Sequence, residues 1–313
     1  MLLLILVATV ISVVMWRTAQ PSRPTRATVA SINPTSVIST ASASTTANAT
    51  ARQNAPKVFR TLRPAIDDLI QQYATQGITR VGVVIEDDRT GETLEQNADA
   101  SFASASLYKL FVLWRTQIEI RQGRLSDGSL LPLTAANDAS AEDGYVLGPY
   151  GDTVTVADLR RLMISSSSNT AAQVLTQWFG LGTIEQLLRA NGFTATSVLD
   201  EPRTTAREVT RFLEGVVNRN LDPHLQPDDY ALMLTLLKEQ QVNTKLSIGF
   251  PDGTVFAHKT GDIPGAHHDA GVVFLPDGRS ITITVLTGGD YDASVRFQHD
   301  LAELLWQDQA GRN

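Results

Sequence analysis

Cysteine is absent from all 313 residues. That excludes disulfides, thiol nucleophiles, zinc–thiolate sites and an acylated lipobox cysteine. Lysine is nearly absent: Lys57, Lys109, Lys238, Lys245 and Lys259 stand against 21 arginines. Arginine therefore serves as the surface cation, and each lysine calls for its own reason. Acidic residues are missing from the first 56 positions, which hold four arginines. The remainder sets 22 Lys and Arg against 33 Asp and Glu, a net charge of −11. A surface that acidic argues against nucleic acid as a partner. No Gly-x-Ser-x-Gly elbow occurs, and His267, His268 and Asp269 lack a third ligand at a recognised metal spacing. Neither a metal nor a cofactor is expected. His267 to Asp269 read instead as a loop lining a cleft, after a strand.

What is present begins with an uncharged apolar run, Leu2 to Trp16. Fifteen residues are short for a membrane-spanning helix and suit a signal-peptide core. No cation precedes the run and no small-x-small site follows closely, so an uncleaved anchor stays open beside cleavage. Residues 1–17 are thus a signal peptide or membrane anchor, and the protein is expected outside the cytoplasm. In residues 18–56, 27 of 39 positions are Ala, Thr, Ser or Pro. Such a segment buries too little apolar surface to offset its ordering entropy. It reads as a tether reaching about 35 Å. Residues 57–313 then form one folded domain, large enough to be stable without disulfides and expected as a monomer.

Periodicity organises that domain. Leu62, Ile66, Leu69, Ile70 and Tyr73 form a helical stripe within 62–75, and an apolar run from Val81 meets an Asp-Arg-Thr-Gly turn, a hairpin signal. Helices are expected at 106–122, 155–166, 169–178, 183–190, 204–218 and 227–240. Strands return at 254–258, 270–275 and 280–286, and an amphipathic helix closes the chain near 293–307. Strands at both ends with helices between imply an α+β fold. One sheet is assembled from both termini, with an all-helical part inserted.

Three short motifs carry chemistry. Ser106 and Lys109 are three apart on one helical face, so hydroxyl and amine can meet. The segment around Lys109 is apolar, and desolvation disfavours an ammonium. A helix starting near Ser106 would aim free N–H groups at a developing oxyanion. Alone the pair is weak, since about 0.3 such spacings arise by chance. The second motif is the run Ser165 to Ser168 before Asn169, which in isolation is a solvated loop. The third is Lys259-Thr260-Gly261 at a strand end, where glycine lets a substrate approach the strand edge closely.

In this order the three motifs resemble those of class A β-lactamases and penicillin-binding proteins. The resemblance spans about residues 60–308 and includes the flanks, Thr153 to Leu159 before the serine run and Ser167-x-Asn169-Thr-Ala-Ala within it. Ser168 replaces the family's aspartate. The resemblance implies an antiparallel sheet packed against a helical domain, with the active site in the cleft between. Ser106 would be the nucleophile, Lys109 a candidate base, and Ser167 a proton relay assisted by Lys259. Asn169 would hold the substrate's side-chain amide. Thr260 and Lys259 would meet its carboxylate beside Gly261, and the N–H groups of Ser106 and Asp262 would bind the oxyanion.

One element departs from the family. The Glu-x-x-Leu-Asn stretch that serves deacylation is missing, and the corresponding loop is cut short around Asp200-Glu201-Pro202. Glu201 could still approach the site in that role, with Lys109 or Lys259 assisting water if it does not; in isolation it is a solvated acid before a helix. The expected activity is β-lactam hydrolysis through an acyl-enzyme. A D-alanyl-D-alanine peptidase acting on cell-wall peptides and a penicillin-binding sensor that acylates once remain alternatives. Tyr145 and Tyr150 read as surface aromatics of a glycine-rich loop.

Overall fold

The computed structural model describes residue 59 and residues 61–143 and 147–310. The apolar run 1–17, the tether 18–56 and Tyr145 lie outside the described residues. Among the described residues, no helix is long and apolar enough to cross a membrane.

The folded part opens with α1 (Leu62–Ala74), β1 (Ile78–Asp87), β2 (Glu92–Gln96) and β3 (Phe102–Ala103). A 3₁₀ turn, Ala105–Leu107, leads into α2 (Tyr108–Arg121). Next come β4 (Leu130–Pro132), α3 (Ser140–Asp143), β5 (Thr153–Thr155), α4 (Val156–Ser165), α5 (Asn169–Phe179) and α6 (Leu181–Ala190). Then follow β6 (Arg203–Thr204), α7 (Ala206–Val217), α8 (Pro227–Lys238) and the short α9 (Leu246–Gly249). The chain ends in β7 (Val255–Ile263), β8 (Ala266–Phe274), β9 (Ser280–Gly289) and α10 (Tyr291–Ala310).

Five strands form one antiparallel sheet in the order β2-β1-β9-β8-β7. The first strands therefore pair with the last, as the pattern at the two ends of the domain implied. Period-two alternation sorts the sheet's side chains between two cores. Val83, Ile85, Ile281, Ile283 and Val285 pack with α1 and α10, against Leu62, Ile66, Phe297 and Leu301. Val84, Ala270, Val272 and Leu286 face the other way, into the core of the helical part. Because β8 and β9 are covered on both faces, their burial is nearly continuous.

Helix α2 is the axis of the helical part. Phe111 and Trp114 are fully buried, and edge contacts with Phe193 and Phe212 fix it. Trp114 Nε1 donates to Asp222 at 3.2 Å, so its one polar atom is satisfied. Side-chain caps set the helix starts as the sequence allows: Thr155 accepts from Asp158 N and Thr205 from Glu208 N.

Strands β7 and β8 are longer than their apolar patterns suggest. Lys259, Thr260, Gly261 and Asp262 lie inside β7 rather than at its end. His267, His268 and Asp269 likewise lie inside β8, buried, which corrects the reading of a cleft loop. Pairing continues because the polar groups find partners within the sheet's own surroundings, so polarity there does not end the strand.

Candidate active site

Ser106 sits in the 3₁₀ turn at the amino-terminal end of α2, beside edge strand β7. The turn is tied down on both sides. Ser104 N donates to Pro202 O at 2.8 Å, and β3 pairs with β6. Ala105 has φ of 44°, a left-handed conformation unusual for a residue with a side chain. Gly261 explains how closely β7 approaches. A Cβ built there would lie 3.2 Å from Ser106 N, 3.2 Å from Ala105 Cβ and 3.3 Å from Ser104 O. The strand edge and the turn bearing Ser106 are thus in backbone contact.

Lys109, three residues beyond Ser106 in the first turn of α2, is fully buried. Its Nζ contacts the Ser167 carbonyl oxygen, Asn169 Oδ1 at 2.6 Å and Ser167 Oγ at 3.3 Å. Lys259 enters from the opposite side, donating to Ser167 Oγ at 2.9 Å and to Thr260 O at 2.8 Å. Ser167 therefore stands between two buried lysines, and its φ of 62° is left-handed. Such outliers persist only where the surroundings over-determine them. Burial pushes the Lys259 ammonium well below the ordinary lysine range, and the nearby charges of Lys109 and Lys245 push it further. Ser168 acts as the N-cap of α5, accepting from Ala171 N at 3.2 Å. A serine can replace an aspartate there because the position's described work is capping.

A cavity of about 530 Å³ opens above Ser106, walled by Tyr108, Asn169, Glu201 and Asp262 among others. The structure brings the expected Ser106, Lys109, Ser167, Asn169, Lys259, Thr260, Gly261 and Asp262 to one place. Glu201 reaches the cavity wall as an exposed side chain, beside Asp200 with φ of 52°. Tyr150 is 62% exposed and donates to Asp138, in keeping with a surface aromatic.

Three features escaped sequence reasoning. Glu142 accepts from Asn169 Nδ2 at 3.2 Å, a contact across 27 positions with no local signal. Tyr108 walls the cavity next to the nucleophile. Lys245 is fully buried and pairs with Asp262 at 2.6 Å; its signal was the scarcity of lysine itself.

His268 and His258 serve structure. His268 Nε2 donates to Ala103 O at 2.8 Å while Nδ1 accepts from Thr287 N at 3.3 Å. Burial lowers its pKa to about 4, so the ring is neutral and both nitrogens are engaged. It thereby braces β8 against the strand that leads to Ser106. His258 is held between Asp269 Oδ1 at 2.8 Å and Asn243 Oδ1 at 2.9 Å.

Comparison with known proteins agrees with this geometry. Residues 61–309 match the model of the β-lactamase enzyme family. The β-lactamase VEB-1 of Pseudomonas aeruginosa is 24% identical over 253 residues, covering 72% of this chain and 84% of that protein. A β-lactamase of Streptomyces albus G is 28% identical over 230 residues, covering 66% and 72%. Among solved structures, a β-lactamase from Sphaerobacter thermophilus superposes with a TM-score of 0.71 at 21% identity, over 78% of this chain and 96% of that one. PBP-A superposes with a TM-score of 0.69 at 20% identity, over 78% and 96%. A family match over that length, on a chain whose three motifs meet at Ser106, places this protein in the β-lactamase enzyme family as a serine hydrolase.

Proposed function

We propose that the protein hydrolyses β-lactams through an ester of Ser106, with acylation faster than deacylation. Ser106 Oγ attacks the lactam carbonyl carbon while its proton passes to the neutral amine of Lys109, which becomes the ammonium. The carbonyl oxygen takes the negative charge and is met by the N–H groups of Ser106 and Asp262. The carbon–nitrogen bond then breaks as Ser167 gives its proton to the ring nitrogen and regains one from the lysines beside it. Water attack on the ester finally restores Ser106 and releases the acid. The observation that carries this reading is Ser167 Oγ, held between Lys109 and Lys259, beside a turn where β7 touches the backbone of Ser106.

The short segment Asp200–Pro202 supports slow deacylation. It is clamped through Pro202 and β6 onto β3, and Glu201 is exposed rather than fixed toward a water position. The solved relatives include a mutant of PBP-A as its acyl-enzyme complex with penicillin G. The same feature favours a second reading, a peptidase or sensor of cell-wall peptides. Export with amino-terminal tethering completes the proposal, supported by the apolar run Leu2 to Trp16 and the Ala/Thr/Ser/Pro segment after it. A chromogenic cephalosporin with intact-mass detection tests the enzymology. A burst equal to the enzyme concentration, one adduct lost in Ser106→Ala and slow turnover are expected. Turnover surviving in Ser106→Ala would refute the reading, and an adduct with no turnover would select the sensor.

A further inference from the structure

Side chains two apart on a strand share a face, so Asp262 stands on the face of β7 that carries Thr260. Its carboxylate accepts from Lys245 Nζ at 2.6 Å and lies 3.2 Å from His267 Nδ1. It is 36% exposed and lines the same cavity as Ser106. Lys245 is fully buried, and a buried ammonium needs a partner. Asp262 supplies that partner from within the chain. The cavity wall adds Glu142, Asp200 and Glu201, with no Lys or Arg among its described lining residues. A substrate carboxylate held beside Thr260 and Lys259 comes up against the Asp262 carboxylate two residues along the same strand face, and like charges brought close together are costly.

Resting on the acyl-enzyme reading above, we propose that Asp262 is a specificity-determining residue that occupies the charge of Lys245. The site then favours acyl donors uncharged beside the scissile amide over those bearing a carboxylate there. Carboxylate-bearing β-lactams react, but against this internal anion.

Benzylpenicillin and its methyl ester differ only in that charge, and acylation of Ser106 by each is followed by intact mass. The acid-to-ester rate ratio is expected to rise about tenfold in Asp262→Asn. Asp262→Ser, smaller and equally uncharged, is expected to do the same, which guards against a folding defect in one variant. A ratio that stays within twofold or falls in both overturns the proposal. Two arylboronic acids, with and without a meta-carboxylate, read the same charge by calorimetry without requiring a lactam to react. If neither penicillin acylates the wild-type protein while the boronates bind, the lactam reading fails. The boronate ratio then decides: a rise of about tenfold in the variants supports the role of Asp262, and no change refutes it.

Discussion

Gly261→Ala probes the contact on which the whole site rests. The added Cβ would lie 3.2 Å from Ser106 N and Ala105 Cβ and 3.3 Å from Ser104 O. None of these is the far end of a flexible side chain, so either β7 or the turn must move. Relief to an ordinary contact needs about 0.3–0.5 Å. Gly261 is not in the left-handed region, so alanine brings no backbone strain and the effect is the contact alone. A misplacement of 1 Å costs about a hundredfold in rate, and scaling gives about a four- to tenfold loss in acylation. The assay is the second-order rate of adduct formation by intact mass, with thermal melting alongside. Melting within about 3 °C of wild type is expected, because the contact lies at a strand edge. Acylation within twofold of wild type would refute the reasoning. So would a loss accompanied by a fall in melting temperature large enough to signal general unfolding.

Three further outcomes follow. Lys245→Met removes a positive neighbour of Lys259, so the limb of the pH–rate profile governed by Lys259 should move upward, toward the ordinary lysine range; a downward shift on a neutral ester substrate would contradict this. Asp88 is raised to about 6, chiefly by burial, with one carboxylate oxygen unpartnered and the other accepting from Thr282 at 2.6 Å. A carboxyl raised in the fold favours the native state while protonated, and that contribution is lost as pH climbs from about 4 through about 6. Asp88→Asn should therefore stabilise by about 1–2 kcal/mol at pH 7 and hardly at all at pH 4, read from melting curves; equal effects at both would sink it. Glu201→Gln should leave deacylation within about threefold, since the exposed carboxylate has no described hydrogen bond fixing it; a fall of about a hundredfold or more would make it the base.

The amino-acid sequence by itself determined the parts governed by local physics. The helical stripe of Leu62, Ile66 and Tyr73 was legible from spacing alone. The order of Ser106-x-x-Lys109, Ser167-x-Asn169 and Lys259-Thr260-Gly261 pointed to the family and named the residues that meet. Tertiary structure decided where strands end and which charges pair. The sequence reading placed His267 to Asp269 in a loop because polar residues break an apolar pattern. In the fold, Ala103, Asp262, His258 and the other strands satisfy those side chains, and β8 runs on. The pairing of Lys245 with Asp262 and of Glu142 with Asn169 joins residues 17 and 27 positions apart. No local propensity encodes such contacts, because they exist only once helices and sheet have packed around the cleft.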